Sequence, residues 1–473
     1  MDLPSSQHLV LSPASIREFE GYGMAARTDG YLVQPTTIEE VNEAITLAKQ
    51  TGRHLVPRGA GRSYGDASIL AEGIVLDLTK MNRFISWDRE TGIAECEPGV
   101  TIEQLWRTGL PNGWWPPVVS GTMFPTLGGA LGMNIHGKNN FQVGTLGDNV
   151  VEIDLLTVDC QIQTLRSQDP LFHAVISSAG MLGIITRIKL RLKKVPSGNV
   201  KVYAESIPNW QAQLEAFEKR AELADYMVSW VDCFAKGAAS GRGLFHAAWY
   251  DKDLDSESLL EMNQDLPPKV LGILPKSQVW RILKPLNNRL GMRFVNLAKH
   301  ASSKLIGNKK MHKQGLVAFS FLLDYVPDWR KAYLPDGFIQ YQTFIPKAEA
   351  ARVFAEQIRL SQEAKLEPFL GVLKKHRPDA FLLSHAVDGY SLALDYKVTE
   401  RTWPDLQSLC HRMNDLVRAA GGRFYLAKDL TLRPEDLDYL GSNLQTLRDI
   451  KNQLDPDCIL DSDQARRLNL FPR

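Results

Sequence analysis

From about position 35 the chain alternates short apolar runs with segments of helical periodicity. PTTIEEVNEAITLAKQTGRHLVPRG reads as an amphipathic helix followed by the strand HLVPRG, with Thr37 and Glu40 at capping-box spacing. GIVLDLT and then GIAECEPGVTIEQLWRTGL repeat strand, turn and helix, and Thr101 with Gln104 marks a second capping box. GDNVVEIDLLTVDCQIQTL predicts a hairpin whose apolar residues largely alternate, and GIITRIKLRLKKVP a strand that stops at Pro196. Beyond it FIQYQTFIP and GYSLALDYKV read as strands and VFAEQIRLSQEA as a helix. The tail from GGRFYLAKD to DSDQARRLNL is turn-rich and too small to bury a core of its own, so it is expected to fold back. The pattern predicts an α+β chain with domains at 10–196, 197–420 and a C-terminal segment, 421–473, packed on the first of them.

The length of 473 residues, 44% apolar and 23% charged, fits a folded two-domain protein. A net charge of +1 gives no argument for nucleic-acid binding. Cysteines 96, 160, 233, 410 and 458 are odd in number and never form CxxC, which points to ordinary thiols. The N-terminal stretch has no secretory pattern and no apolar run is long enough to span a bilayer, so a soluble, cytoplasmic protein is expected. The average charge conceals a patch, because the 58 residues from Leu266 to Leu323 hold eleven Lys or Arg and no Asp or Glu. Together with Leu271, Ile273, Leu274, Trp280, Ile282 and Leu283 this reads either as a surface for anionic lipid or phosphorylated substrate, or as a solvated loop.

Two glycine segments carry candidate chemistry. In PRGAGRSYGD, at 57–66, glycines follow a strand and let successive amides turn inward around an anion such as a diphosphate. The third glycine is misplaced for a dinucleotide fingerprint, and read alone the segment is equally a tight turn. SGTMFPTLGGALGMNIHGKNN, at 120–140, packs glycines among small residues, which permits close approach of backbone to a large flat ligand.

At this spacing the pair resembles the FAD-binding domain of the vanillyl-alcohol-oxidase, or PCMH-type, flavoprotein family. RSYGD, IHGKN, GFIQYQ, GGRFYLAKD and DSDQARRL are similar, within it, to the decaprenylphosphoryl-β-D-ribose 2-oxidase branch. The resemblance implies a two-domain PCMH-type FAD-binding fold whose substrate domain is built on an antiparallel sheet. It implies FAD contacts at Arg58, Gly59, Ala60, Gly61, Arg62, Ser63, Tyr64, Gly65, Asp66, Gly121 and Thr122. Further contacts are implied at Thr126, Gly128, Gly129, Met133, Asn134, Ile135, His136, Ile184 and Tyr425. Arg62 stands where many members carry the histidine that bonds the flavin, so non-covalent FAD is expected.

Lys428 is implied as the principal catalytic residue, with Tyr64 and His136 beside it; a surface lysine is the bland alternative. Lys138, Gln340, Gln342, Lys374 and Ser391 are implied as a substrate pocket offering hydrogen bonds to sugar hydroxyls and cations to a phosphate. Ser391 replaces an amide side chain of the branch and Ala393 a cysteine. No second histidine accompanies His136 at metal spacing, so no metal is expected. The implied activity is FAD-dependent oxidation of a sugar's secondary alcohol, the 2-hydroxyl of a polyprenylphosphoryl-β-D-ribose, by hydride transfer to flavin N5. That would be the first half of an epimerisation to arabinose in cell-wall biosynthesis, completed by a keto-sugar reductase partner, with peripheral membrane contact through 266–323. A free-sugar or alditol oxidase, D-arabinono-1,4-lactone oxidase-like, and a non-catalytic flavin-binding partner protein stay open beside it.

Overall fold

The computed structural model describes residues 11–253, 255–270, 274–306 and 308–472. The first ten residues of the N-terminal stretch, and Leu271 and Ile273 of the basic stretch, lie outside the described residues. The chain is α+β. Both helices expected from capping spacing form. At Ile102–Gly109 the box closes in both directions, Gln104 N–H to Thr101 Oγ1 at 3.1 Å and Thr101 N–H to Gln104 Oε1 at 2.9 Å. At Ile38–Thr51, Thr37 accepts from Glu40 N–H at 3.3 Å, but the Glu40 carboxylate turns one residue further back, to the Thr36 N–H at 2.6 Å.

The early strands form two sheets. Ile16–Glu20, Arg27–Val33, Ile74–Asp77 and Leu55–Arg58 make a four-stranded mixed sheet. The predicted hairpin, Val150–Leu156 with Ile162–Arg166, joins Ile184–Arg191, Ile93–Cys96 and Phe84–Asp88 in an antiparallel sheet of five.

An eight-stranded antiparallel sheet follows, in the order Lys310–Gly315, Asn199–Ile207, Gly243–Tyr250, Tyr226–Val231, Leu370–His376, Gly389–Lys397, Phe338–Pro346, Arg423–Phe424. FIQYQTFIP and GYSLALDYK occupy its middle and are buried on both faces. Alternate residues divide between those faces. Tyr341 and Thr343 meet the helices Trp403–Ala419 and Ala350–Glu363, through Tyr341 OH to Asn414 Oδ1 at 2.9 Å and Gln357 Nε2 to Thr343 Oγ1 at 3.1 Å. Gln340, Gln342 and Phe344 therefore face the other way, where the register sets Asp395, Ala393 and Ser391 beside them. Leu370, Val372 and Lys374 continue the same rows.

The basic stretch is more than a loop: it contains the helices Val279–Leu286 and Arg289–Ile306 and the edge strand Lys310–Gly315. Ile282, Leu290, Phe294 and Leu297 are exposed along it. No described helix is long and apolar enough to cross a membrane. The five cysteines are free, three of them buried.

The tail returns to the first strands. Leu55 N–H donates to Ile459 O at 2.7 Å and Asp461 N–H to Leu55 O at 3.0 Å. Arg467 forks onto Asp66 at 2.8 and 2.9 Å and reaches Asp429 at 2.7 Å. One guanidinium thus fastens three of the sequence motifs together.

Candidate active site

A cavity of about 460 Å³ lies between the glycine segments and the inner face of the eight-stranded sheet. Its first wall is made largely of backbone. Gly59, Ala60, Gly61, Arg62 and Ser63 line it, and the N–H groups of Ala60, Gly61, Arg62 and Ser63 donate to no protein acceptor among the described residues. Unsatisfied amides in a turn are an anion cradle. Gly61 holds it in a left-handed conformation at φ +62°, and a Cβ on Gly59 would stand 2.1 Å from Thr126 Oγ1. The Arg58 guanidinium is turned to Ser68 and to Glu20 O, at 3.0 to 3.1 Å, and braces the loop from behind. Arg62 lies over the rings of Tyr22 and Phe124, with its Nε buried and unpartnered.

Gly121, Thr122, Thr126, Gly128, Gly129, Met133, Ile135, His136 and Tyr425 complete that wall. Five residues assigned from the sequence lie outside the lining, each for a local reason. Gly65 packs on backbone, where a Cβ would meet Asp429 O at 1.8 Å. Asp66 is taken by Arg467. The Asn134 amide oxygen accepts from Gly147 N–H at 2.9 Å. Ile184 points into the core of the four-stranded sheet, leaving its neighbours Gly183 and Ile185 at the cavity. Ser391 sits behind Gln342, which donates to it at 3.2 Å.

The opposite wall is made of side chains. Lys138, Gln340, Gln342, Lys374 and Lys428 all line it. Tyr64 N–H bonds Ala427 O at 2.8 Å, which brings Lys428 over the first glycine loop, its Nζ 3.6 Å from the Tyr64 ring centroid. Burial lowers the Lys428 ammonium to about 7, partly opposed by Asp395. The Asp395 carboxyl is itself raised to about 6 by burial and accepts from Gln340 Nε2 at 2.5 Å. His136 is held neutral, its pKa lowered well below the usual value by burial and then by Lys374. Burial lowers Lys138 to about 7 and Lys374 to about 8.

The sequence reading missed Tyr226, Val228, Trp230, His246 and Lys299 in the lining, and His376 behind it. His376 Nε2 meets Ser391 Oγ at 2.8 Å, so the serine found where an amide was expected is bonded to a histidine two residues beyond Lys374. Period-2 alternation from Lys374 would have found His376, and Tyr226, Val228 and Trp230 share one row of their own strand.

Residues 30–166 match the FAD binding domain family. Over 474 aligned residues the chain is 29% identical to decaprenylphosphoryl-beta-D-ribose oxidase of Mycolicibacterium smegmatis, covering 97% of this chain and 99% of that protein. It is 21% identical to a putative D-arabinono-1,4-lactone oxidase of Neurospora crassa, over 93% and 83% respectively. D-lactate dehydrogenase of Anaerostipes hadrus is 26% identical over 36% of this chain and 38% of its own. The unsatisfied amides of residues 60–63 are a donor set that fits the diphosphate of FAD, and the glycines that admit no Cβ let backbone come close to it. The chain is an FAD-dependent oxidoreductase acting on CH–OH donors, built on a PCMH-type FAD-binding domain.

Proposed function

We propose that the chain oxidises a secondary hydroxyl of a sugar, the 2-hydroxyl of a polyprenylphosphoryl-β-D-ribose, to the ketone. One observation carries the reading: Lys428, softened to about 7, stands where the glycine cradle meets the row Gln340, Gln342 and Asp395. When bound, FAD supplies the acceptor for the carbinol hydride.

The chain's own residues supply binding, orientation and proton handling. The amides of residues 60–63, with Gly59, Gly121, Thr122, Thr126, Gly128, Gly129, Met133, Ile135 and Tyr425, would hold the cofactor. Gln340, Gln342 and neutral His136 would hold the sugar by hydrogen bonds, and Lys138 with Lys374 would face its phosphate. As the free amine, Lys428 Nζ takes the hydroxyl proton while the C–H bond breaks and C=O forms. A keto-sugar reductase acting next would return the hydroxyl on the opposite face. The exposed Ile282, Leu290, Phe294 and Leu297, set among basic residues, support a site of action at an anionic membrane surface on the cytoplasmic side.

The test is anaerobic bleaching of the flavin's visible band by farnesylphosphoryl-β-D-ribose, with ribose and xylitol as comparisons. Bleaching by the lipid-linked sugar alone is expected. Bleaching by free polyols only would transfer the chain to the alditol oxidases.

A further inference from the structure

Behind the side-chain wall runs a line of hydrogen bonds. Asn140 Oδ1 meets His376 Nδ1 at 3.0 Å, and His376 Nε2 meets Ser391 Oγ at 2.8 Å. Gln342 Nε2 then meets both Ser391 Oγ, at 3.2 Å, and His136 Nε2, at 3.1 Å. The line leads from the second glycine segment, at Asn140, across three neighbouring strands of the large sheet to Gln342 and His136 at the cavity. Asn140, His376 and Ser391 are almost fully buried, so each proton in the line needs an acceptor inside the protein.

The line has one direction. The Arg377 backbone N–H donates to Asn140 Oδ1 at 3.3 Å, and a backbone N–H can only donate. Turning the Asn140 amide over would set its NH2 against that donor, so Oδ1 accepts from both neighbours and His376 carries its proton on Nδ1. Burial, followed by the charges of Lys374 and His385, holds the His376 pKa well below the usual value. The ring is neutral, and its Nε2 is a lone pair that takes the Ser391 hydroxyl proton. An amide side chain at position 391, as the similar branch carries, has both kinds of group to offer; a hydroxyl has one proton, and His376 takes it. Ser391 Oγ can then only accept from Gln342 Nε2. The second Gln342 N–H goes to Nε2 of His136, a ring kept neutral by burial in the same way.

The Gln342 amide thus uses both of its N–H groups inside the protein, and its Oε1, bonded to no described residue, is what remains for the cavity. Gln340, in the same row of the strand, differs: one N–H is fixed on Asp395 and the other stays free beside its oxygen.

We infer that Gln342 is an obligate acceptor, fixed as such by His376 through Ser391, and that the ligand group opposite it must be a donor, a hydroxyl other than the one whose proton Lys428 takes. His376 lies outside the cavity lining and is a positioning residue. The choice of sugar rests on the function proposed above; the direction of the line does not.

NMR of the isotopically labelled histidine nitrogens in the FAD-loaded protein tests the direction, the His376 signals being identified by their loss in His376→Phe. A neutral ring with its proton on Nδ1 is expected. Titration of the wild-type protein with farnesylphosphoryl-β-D-ribofuranose and its 3-deoxy-3-fluoro and 5-deoxy-5-fluoro analogues tests the ligand side, because fluorine replaces a hydroxyl without its proton. One analogue should bind about tenfold more weakly than the parent, the worth of one hydrogen bond. Ser391→Ala frees a Gln342 N–H and should shrink that difference to about threefold or less. A proton on His376 Nε2, equal binding of the parent and both analogues, or a difference that Ser391→Ala leaves whole would each overturn the inference. Should parent and analogues all fail to bind while His376 holds its proton on Nδ1, the choice of sugar falls and the fixed acceptor stands.

Discussion

The two walls of the cavity are built by opposite means. The glycine wall offers backbone N–H groups, and two side chains of its first loop brace it from behind: Arg58 on Ser68 and Glu20, Asp66 on Arg467. The sheet wall keeps its strand backbone in the ladder and offers side chains, most from strands between positions 226 and 397, with Lys138 and Lys428 added from outside the sheet. A backbone wall takes a ligand common to many chemistries, because its geometry is set by a few glycines. A side-chain wall changes with each residue that faces inward, such as Ala393, and with those that brace it from behind, such as Ser391.

The sharpest way to separate the walls is Lys428→Met. Loss of a proton acceptor costs about 10²- to 10⁴-fold in kcat, and FAD content should stay at the wild-type level. Stopped-flow reduction of the bound flavin measures the first and the visible spectrum the second; a rate within threefold of wild type would break the assignment.

Arg467→Met attacks the brace instead of either wall. It strands the Asp66 and Asp429 carboxylates and should destabilise the protein by about 3–5 kcal/mol, with loss of FAD on gel filtration. Unchanged denaturation and flavin retention would show that the glycine wall stands without its fastening.

The pH profile joins the walls. Lys428 acts as the amine, and its pKa is lowered to about 7 by burial, so kcat should rise as pH passes about 7. Lys138 and Lys374 act as ammonium groups, lowered to about 7 and about 8, so KM for an anionic substrate should rise from about pH 7 and more steeply above 8. The rising limb should vanish in Lys428→Met and the falling one should not. At the small end, Thr101→Ala removes a helix cap remote from the sheet wall and should cost about 1 kcal/mol, read from the thermal midpoint, with KM unchanged.

This division also decides what the sequence revealed. The glycine wall was legible because a turn that needs φ near +62° at Gly61, or a Cβ-free approach at Gly59, writes itself into one short segment. The resemblance implies Gln340 and Gln342, and the alternation of the strand Phe338–Pro346 accounts for both facing the cavity. Errors of facing followed where one residue's step turns a side chain to the other side, as at Ile184 between Gly183 and Ile185. His246 meets the cavity only through its pairing with Val228, and Lys299 only through the packing of a helix, neither of which a linear pattern encodes.

The fastening of the motifs has a consequence for biosynthesis. During translation the segment matched to FAD binding, 30–166, emerges long before its supports. Until Ala427 is made, Tyr64 N–H has no acceptor, and until Ile459 and Arg467 emerge, Leu55 and Asp66 lack theirs. The cofactor cradle of a nascent chain is therefore fastened only after residues 427–467 have been made and have emerged, so the segment that carries the glycine loop waits on residues roughly 360 to 400 positions further along.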